Sequence, residues 1–402
     1  KIEQIFCFDF LFPAYYNGIC PAMRQDICIG NMNQEALMIT IEKTLDLPDT
    51  YPLERIGSLD KLLFFDIETT GFSALTSRLY LIGCTYFSCG QWQLIQWFAD
   101  SEKAEPELLH RFFQFLKGFQ TVIHFNGDGF DIPYLTKRCQ ALSLPYDFSQ
   151  VESFDIYKKI RPFRRILGLD SLKRKAIEGF LGIRREDRFS GGQLIEVYQD
   201  YLSTHEDDLF RLLVLHNEDD LKGMPGILPV LNYPDFFLQD FSAFSSELQK
   251  QDGPGSSPGS LILSCQGEFT IPVPFHVSDS CFPGLSLSGE KTRLTAAIPL
   301  YSGTLRHFFA DYKDYYYLIY EDTAIHKSVG EYVDRSARRQ ATASTCYTKR
   351  EGCFLPQFEP LFTPELKKEK KDRISYVEYD CGLLADLSCA NRYIHHLISH
   401  FQ

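Results

Sequence analysis

The chain is 402 residues long, 44% hydrophobic and 23% charged, with a formal net charge of −12. That length exceeds one ordinary domain and that balance supports a buried core, so two domains joined by a linker are expected. No apolar run approaches the roughly 18 residues that a spanning helix needs, so no membrane partner is expected. So acidic a chain can meet nucleic acid only where its basic residues gather.

Residues 1–37 are broken by Asp9, Pro13 and Asn17 and lack both a basic leader and a small-residue cleavage site. They read as a poorly ordered extension rather than a signal peptide. The twelve cysteines are dispersed, with no C-x-x-C pair. That suits reduced thiols in a cytoplasmic protein, and the spacings of Cys346, Cys353, Cys381 and Cys389 match no structural zinc pattern.

Leu62 to Glu68 (LLFFDIE) is an apolar run ending in acids, the pattern of a buried central strand. Strands over Leu79–Phe87 and Trp92–Phe98 follow as a hairpin, then a helix over Glu105–Lys117, whose leucines and phenylalanines recur at helical spacing. A strand at Thr121–Phe125, a helix at Asp131–Leu142 and a strand at Val151–Ile156 complete the pattern, and the chain is mainly helical from there to about Leu231. This order predicts an α/β domain over residues 38–240, a mixed five-stranded sheet with helices on both faces. Residues 241–260 hold the Gly/Pro/Ser-rich DGPGSSPGS and read as a linker. Residues 261–402 read as a smaller β-rich domain ending in a helix from about Gly382.

Three acidic groups stand out. Asp66 and Glu68 lie two apart on the first strand, so both carboxylates project from one face and repel unless a cation sits between them. An acidic strand end facing water is the plainer alternative. Asp131 closes HFNGDGFD; it is a candidate metal ligand and equally a helix N-cap, with Pro133 in the first turn. Asn126 and Phe130 would shape that turn, and Asp128 is the competing acid. His216 and Asp220 are four apart on one helical face, with Glu218 and Asp219 beside them; a surface helix with an acidic patch would look the same.

Between Lys158 and Arg188 the chain gathers eleven basic residues, among them Arg164, Arg165, Lys173, Arg174 and Arg184, against four acids. This stretch suits a phosphate backbone, or else a solvated helical face. Further on, Asp311–Tyr320 is rich in tyrosine, and Glu321–Arg339 carries His326, Lys327, Arg335, Arg338 and Arg339. Interleaved aromatic and basic residues suit single-stranded nucleic acid, although core tyrosines beside a charged loop would give the same pattern. Glu321, Asp322 and His326 form a weaker candidate for a second metal site.

Taken together, FFDIETTGF (Phe64 to Phe72), FNGDGFD (Phe125 to Asp131) and HNEDD (His216 to Asp220) resemble, in that order, the three motifs of the DEDD superfamily of 3′→5′ exonucleases, which have a ribonuclease H-like fold. Within it the chain looks most like the bacterial YprB-like predicted exonucleases, over roughly Leu62–Leu231. The resemblance implies two divalent ions, Mg²⁺ or Mn²⁺, on Asp66, Glu68, Asp131 and Asp220. It also implies His216 as acceptor of the attacking water's proton, so the rate would rise with pH through about 6 to 7. The substrate would be the 3′ end of a single strand, held by Thr69, Thr70, Phe72 and Asn126 and led in by Arg164, Arg165 and Lys173. One departure is visible: His216 stands three intervening residues before the last Asp, a spacing at which better-studied members carry Tyr. The rivals are a non-catalytic nucleic-acid-binding module that has kept the fold, a ribonuclease H-type endonuclease and a small-phosphodiester hydrolase. The sequence names no protein partner.

Overall fold

The structure is a computed structural model that describes residues 38–183, 191–249, 259–380 and 382–402. The expected N-terminal extension, the arginines Arg184, Arg185 and Arg188, residues 250–258 of the expected linker and Cys381 lie outside the described residues.

The first sheet is built from β1 (Met38–Leu45), β2 (Leu62–Thr69), β3 (Leu79–Ser88), β4 (Gln91–Ala99), β5 (Thr121–His124) and β6 (Glu152–Asp155). Its order is β1-β4-β3-β2-β5-β6, with β2, β5 and β6 parallel and the rest antiparallel. Around it lie α1 (Glu105–Leu116), α2 (Asp131–Ala141), α3 (Ile156–Ile160), α4 (Arg174–Phe180), α5 (Gly191–Thr204), α6 (Asp207–Ile227) and α7 (Asn232–Leu238). This is a ribonuclease H-like domain, as the strand and helix order predicts, but its sheet has six strands among the described residues rather than five. The extra strand, β1, pairs along its length with β4 and keeps no residue fully buried, so it lacks the apolar run that marks a central strand.

Strand β2 explains the two-faced core. Leu62 and Phe64 pack on one side and Leu63, Phe65 and Ile67 on the other, all buried. The second side is closed by α1, α2 and α5 through Leu108, Phe112, Leu135 and Tyr198. The first side is closed by α6 through Leu221 and Met224 and, beyond it, by the C-terminal unit.

That unit follows with β7 (Ser242–Gln249), β8 (Ser260–Gln266), β9 (Phe275–Ser278), β10 (Ser286–Glu290), β11 (Arg293–Pro299), β12 (Tyr301–Phe308), β13 (Tyr315–Leu318), β14 (Thr323–His326), α8 (Lys327–Gly330), β15 (Arg338–Gln340), β16 (Tyr347–Gln357), β17 (Ser375–Glu378) and α9 (Leu387–Phe401). These form antiparallel sheets β7-β8-β11-β10-β9, β12-β16-β17 and β14-β13-β15. Residues 242–249, expected within the linker, instead form the edge strand β7; its polar, mostly exposed SAFSSELQ reads as linker because only backbone pairing with β8 makes it a strand. Helix α9 begins later than predicted, at Leu387, where the Asp386 carboxylate accepts a hydrogen bond from the Cys389 amide at 2.8 Å. The units share one core: Phe163, Phe236 and Phe237 belong to the same apolar cluster as Phe275, Leu294, Ile394 and Leu397. Among the described residues no helix is long and apolar enough to cross a membrane.

Candidate metal centre and basic cleft

Asp66 and Glu68 share the face of β2 that carries Leu62 and Phe64, at the strand's C-terminal end. A register shift between Glu68 and Thr69 interrupts the pairing with β3, which resumes at Thr69 opposite Leu79, an irregularity of the kind that re-aims side chains beside a site. Helix α6 crosses this face closely because position 83 of β3 is glycine. A Cβ on Gly83 would stand 1.9 Å from Asn217 Oδ1 and 2.6 Å from Leu221 Cδ1. Asn217, fully buried, donates to Asp66 Oδ2 at 3.1 Å and accepts from Gln96 Nε2 at 2.9 Å, so a buried amide fixes the angle of the first carboxylate.

The next helical position brings His216 over the same strand end. Its Nε2 lies 3.8 Å from Glu68 Oε1 and 3.7 Å from Asp220 Oδ2. Ligand atoms of Glu68, His216 and Asp220 all lie within 4.8 Å of one another, the one such grouping among the described residues. The three-residue spacing of His216 therefore reaches the acids. The cysteine set and the Glu321/Asp322/His326 set assemble no comparable group among the described residues. Glu218 points elsewhere, to Lys43 at 2.5 Å and Lys222 at 2.6 Å, and Asp219 is exposed.

Asp131 is buried at the start of α2, and the N-cap of that helix is Phe130, with no side-chain cap; the capping role considered for Asp131 is not the one it plays. Burial pushes its carboxyl up to about 7, with the charge of Asp155 adding and the amides of Asp131 and Ile67 opposing. Burial likewise raises Asp66 well above the usual carboxylate range, helped by the charges of Asp220 and Asp131 and resisted by Arg174 and Asn217. Glu68 is raised by burial and by Asp66, Asp220 and Asp131. Four carboxylates that feel one another's charge in a partly buried place fit hard divalent cations, which want oxygen ligands.

Asp128 lies outside this group, bound to Lys158 at 2.6 Å and to Ser153. A residue not singled out from the sequence, Asp155, holds the second motif in place: its buried carboxylate accepts from the amides of Asn126 (2.9 Å), Asp128 (3.3 Å) and Tyr157 (3.0 Å). Asn126 itself takes a φ of 62° to make that turn.

A cleft of about 640 Å³ opens from Asp66 and Asp220 and is lined by Asn126, Arg164, Lys173 and Arg174. Arg174, at the start of α4, ion-pairs with Asp220 Oδ1, donates to the Asp220 carbonyl at 3.2 Å and reaches Glu178 at 3.4 Å. Sequence reasoning counted it only in the basic stretch, because its partner is 46 residues away. Arg164 lines the cleft and braces its loop by donating to the Leu169 carbonyl at 2.9 Å. Arg165 does not line it. That guanidinium turns to the C-terminal unit, 3.2 Å from Asp279, because the helical turn that aims Arg164 at the cleft aims its neighbour away.

The Thr69 and Thr70 hydroxyls, expected on the substrate, are used within their own loop: Thr69 donates to the Gly71 carbonyl at 2.9 Å and Thr70 accepts from the Arg78 amide at 2.8 Å. Phe72 is 93% exposed at the loop tip with its ring 6.1 Å from that of Phe130, so it is not a core residue.

With this geometry, residues 63–232 match the RNase_H_2 family model, of the RNase_H superfamily; they form an RNase H superfamily domain within the longer chain. The chain is also 37% identical over 71 residues to DNA polymerase 1 of Aeropyrum pernix, which covers 18% of this chain and only 7% of that polymerase. Among solved structures it is similar to the family B DNA polymerase of Pyrobaculum calidifontis, with 12% identity, 63% of this chain and 35% of that one covered and a TM-score of 0.33. It is also similar to E. coli exonuclease I in complex with single-stranded DNA, with 14% identity, 50% and 53% covered and a TM-score of 0.26.

Proposed function

We propose that this chain is a metal-dependent exonuclease that removes nucleotides from the 3′ end of single-stranded nucleic acid. The observation that carries the reading is that Glu68, His216 and Asp220 bring ligand atoms within 4.8 Å of one another, with Asp66 and Asp131 near enough for their charges to raise the neighbouring carboxyls, and that Asp66 and Asp220 line a cleft with Arg164, Lys173 and Arg174. Mg²⁺ or Mn²⁺ held by these carboxylates would supply Lewis-acid stabilisation of a phosphoryl group and a more acidic water. The chain's own groups then have distinct tasks. Asn217 keeps Asp66 oriented, the basic residues draw the backbone in, and His216, at the rim of the acids, accepts the proton of the attacking water. Exposed Phe72, with Phe130 beside it, offers a stacking face for the terminal base. The order of the three motifs supports the 3′→5′ direction.

One observation favours the binding-module rival. The Arg174–Asp220 ion pair shows that the chain can neutralise part of this site by itself. A single guanidinium nevertheless leaves three carboxylates of the group to be balanced.

The test uses 5′-labelled single-stranded DNA and RNA oligonucleotides with Mg²⁺, Mn²⁺ or EDTA. A metal-dependent ladder shortening from the 3′ end, abolished by Asp66→Ala and by Asp220→Ala, is the expected result. Folded wild-type protein that binds the strands but never shortens them would leave the binding module.

A further inference from the structure

The basic residues that line the cleft, Arg164, Lys173, Arg174 and Lys175, come from one short stretch of chain. Within it, residues 164–173 form neither strand nor helix. They fold on themselves instead. The amides of Gly168 and Leu169 return to the carbonyls of Arg165 and Arg164, each at 3.1 Å, and Arg164 Nε donates to the Leu169 carbonyl at 2.9 Å. Ile166, Leu167 and Leu172 bury the apolar side of the stretch in the shared core. Apolar contact is non-directional, so the orientation of this basic wall falls to its polar anchors. One anchor is Arg174, on Asp220 at the metal centre. Another is Arg165, which turns away from the cleft to the C-terminal unit.

There the loop after β9 and the last turn of α9 close around one guanidinium. The Asp279 side chain is 2% exposed. Its Oδ1 accepts from the amides of Cys281 at 2.6 Å and Phe282 at 2.8 Å, which closes its own turn. Its Oδ2 accepts from Arg165 Nη2 at 3.2 Å and from His400 Nε2 at 2.7 Å. Arg165 Nη1 also donates to the His400 carbonyl at 3.4 Å, and the guanidinium lies 5.4 Å from the centre of the Phe401 ring. The Phe358 ring stacks on the His400 imidazole at 3.6 Å, so the histidine is itself held.

We propose that Arg165, Asp279 and His400 form a clasp of positioning residues for the substrate strand. Through it the C-terminal unit holds the basic wall in the orientation at which Arg164 meets a phosphate, and contributes to binding without touching the strand. Arg164 and Arg165 are consecutive, so a shift of the pinned guanidinium reaches the cleft through one planar, stiff peptide unit. The inference rests on the reading of nucleic acid as substrate and gives the C-terminal unit a part in it.

Asp279→Asn separates this role from simple charge. The amide keeps Oδ1, and with it the turn, but puts an NH₂ donor where Arg165 and His400 both need an acceptor. It also removes a negative charge, which by electrostatics alone tightens the hold on a polyanion. The clasp predicts the opposite sign. Binding is measured in EDTA, without cleavage, by the fluorescence anisotropy of a labelled oligothymidylate across a range of salt concentrations, with circular dichroism to check folding. D279N should bind about 5- to 10-fold more weakly, with a salt slope shallower by about 0.7, the share of one phosphate contact on a single strand. With Mn²⁺ present, KM should rise by a similar factor while kcat stays within about 2-fold. Equal or tighter binding by folded D279N overturns the proposal, as does a loss no larger than its unfolded fraction explains. Should D279N not fold, the net-neutral R165Q/D279N decides, since it leaves no single charge unpaired in the clasp. Charge alone then predicts unchanged binding, and unchanged binding overturns the clasp. The two readings fail separately. A chain that never shortens strands, but whose folded D279N binds them less tightly, keeps the clasp and loses the exonuclease. A chain that cleaves, with D279N matching wild type in affinity and KM, does the reverse.

Discussion

Arg174 and the four acids it faces make one electrostatic unit. A positive charge held against Asp220 competes with any divalent cation for the same oxygens, and at about 4 Å and an effective dielectric of about 20 such a contact is worth up to ~4 kcal/mol. Arg174→Gln is therefore expected to tighten Mn²⁺ binding by about 10-fold in calorimetric titration, while weakening the hold on oligonucleotide. Unaltered Mn²⁺ affinity would mean that the guanidinium leaves the acids at no cost. A second consequence concerns pH. In the folded, metal-free chain Asp131 keeps its proton to about pH 7, whereas in the unfolded chain an aspartate ionises near 4. Between those values the folded state holds more protons, so the metal-free protein should lose stability as pH rises through that window. Melting in EDTA at about pH 5 and about pH 7.5 should give the lower Tm at the higher pH, with Mn²⁺ closing the gap; a flat or opposite trend refutes the assignment. The acids could be read from the sequence because carboxylates two apart on a strand, or four apart from a histidine on a helix, share a face by geometry alone. Arg174 could not be paired, since nothing local joins it to Asp220. The loop hydrogen bonds of Thr69 and Thr70 were not legible for a related reason: a hydroxyl that closes its own loop has the same sequence as one that waits for a ligand.

At the scale of elements, the angle of α6 across β2 and β3 decides whether Asn217, His216 and Asp220 arrive together. Gly83 permits that angle. Gly83→Ala must push Asn217 and Leu221 outward, and overpacking of this kind costs about 1–3 kcal/mol. Chemical denaturation should show a loss of that order, together with a fall in nuclease activity larger than the remaining folded fraction explains. Wild-type activity at wild-type stability would show that α6 has slack. The central strands were readable because burial on both faces requires an unbroken apolar run, as in LLFF of β2. Edge strands β1 and β7 gave no such signal: their pairing is satisfied by backbone, and one or both faces stay wet. The same holds for two of the four amide partners of Asp155: those of Asn126 and Asp128 become visible only once β5 and β6 lie side by side, whereas those of Tyr157 and Lys158 belong to the helix it caps.

For the whole molecule, the decisive feature is that the apolar cluster under β2 does not stop at the first unit. Phe237 stacks on Phe163 at 5.0 Å and meets Phe275 at 5.3 Å, and α9 closes the far side with Ile394 and Leu397. At the rim, Asp279 binds Arg165 at 3.2 Å and His400 at 2.7 Å, tying the two units by charge as well. A chain ending before β7 should accordingly be aggregated or molten by gel filtration and near-ultraviolet circular dichroism; a monodisperse, active fragment would contradict a shared core. The division expected from composition, a catalytic domain, a linker and an appendage, thus runs across one apolar cluster to which both units contribute.

Timing follows from that shared core. On the ribosome the acids of β2 and α6 emerge well before α9, whose fifteen residues supply part of the apolar floor beneath them. The nascent first half carries the candidate ligands on an unfinished core, so the activity proposed above is expected to appear only once synthesis has moved past Asp220 by well over a hundred residues.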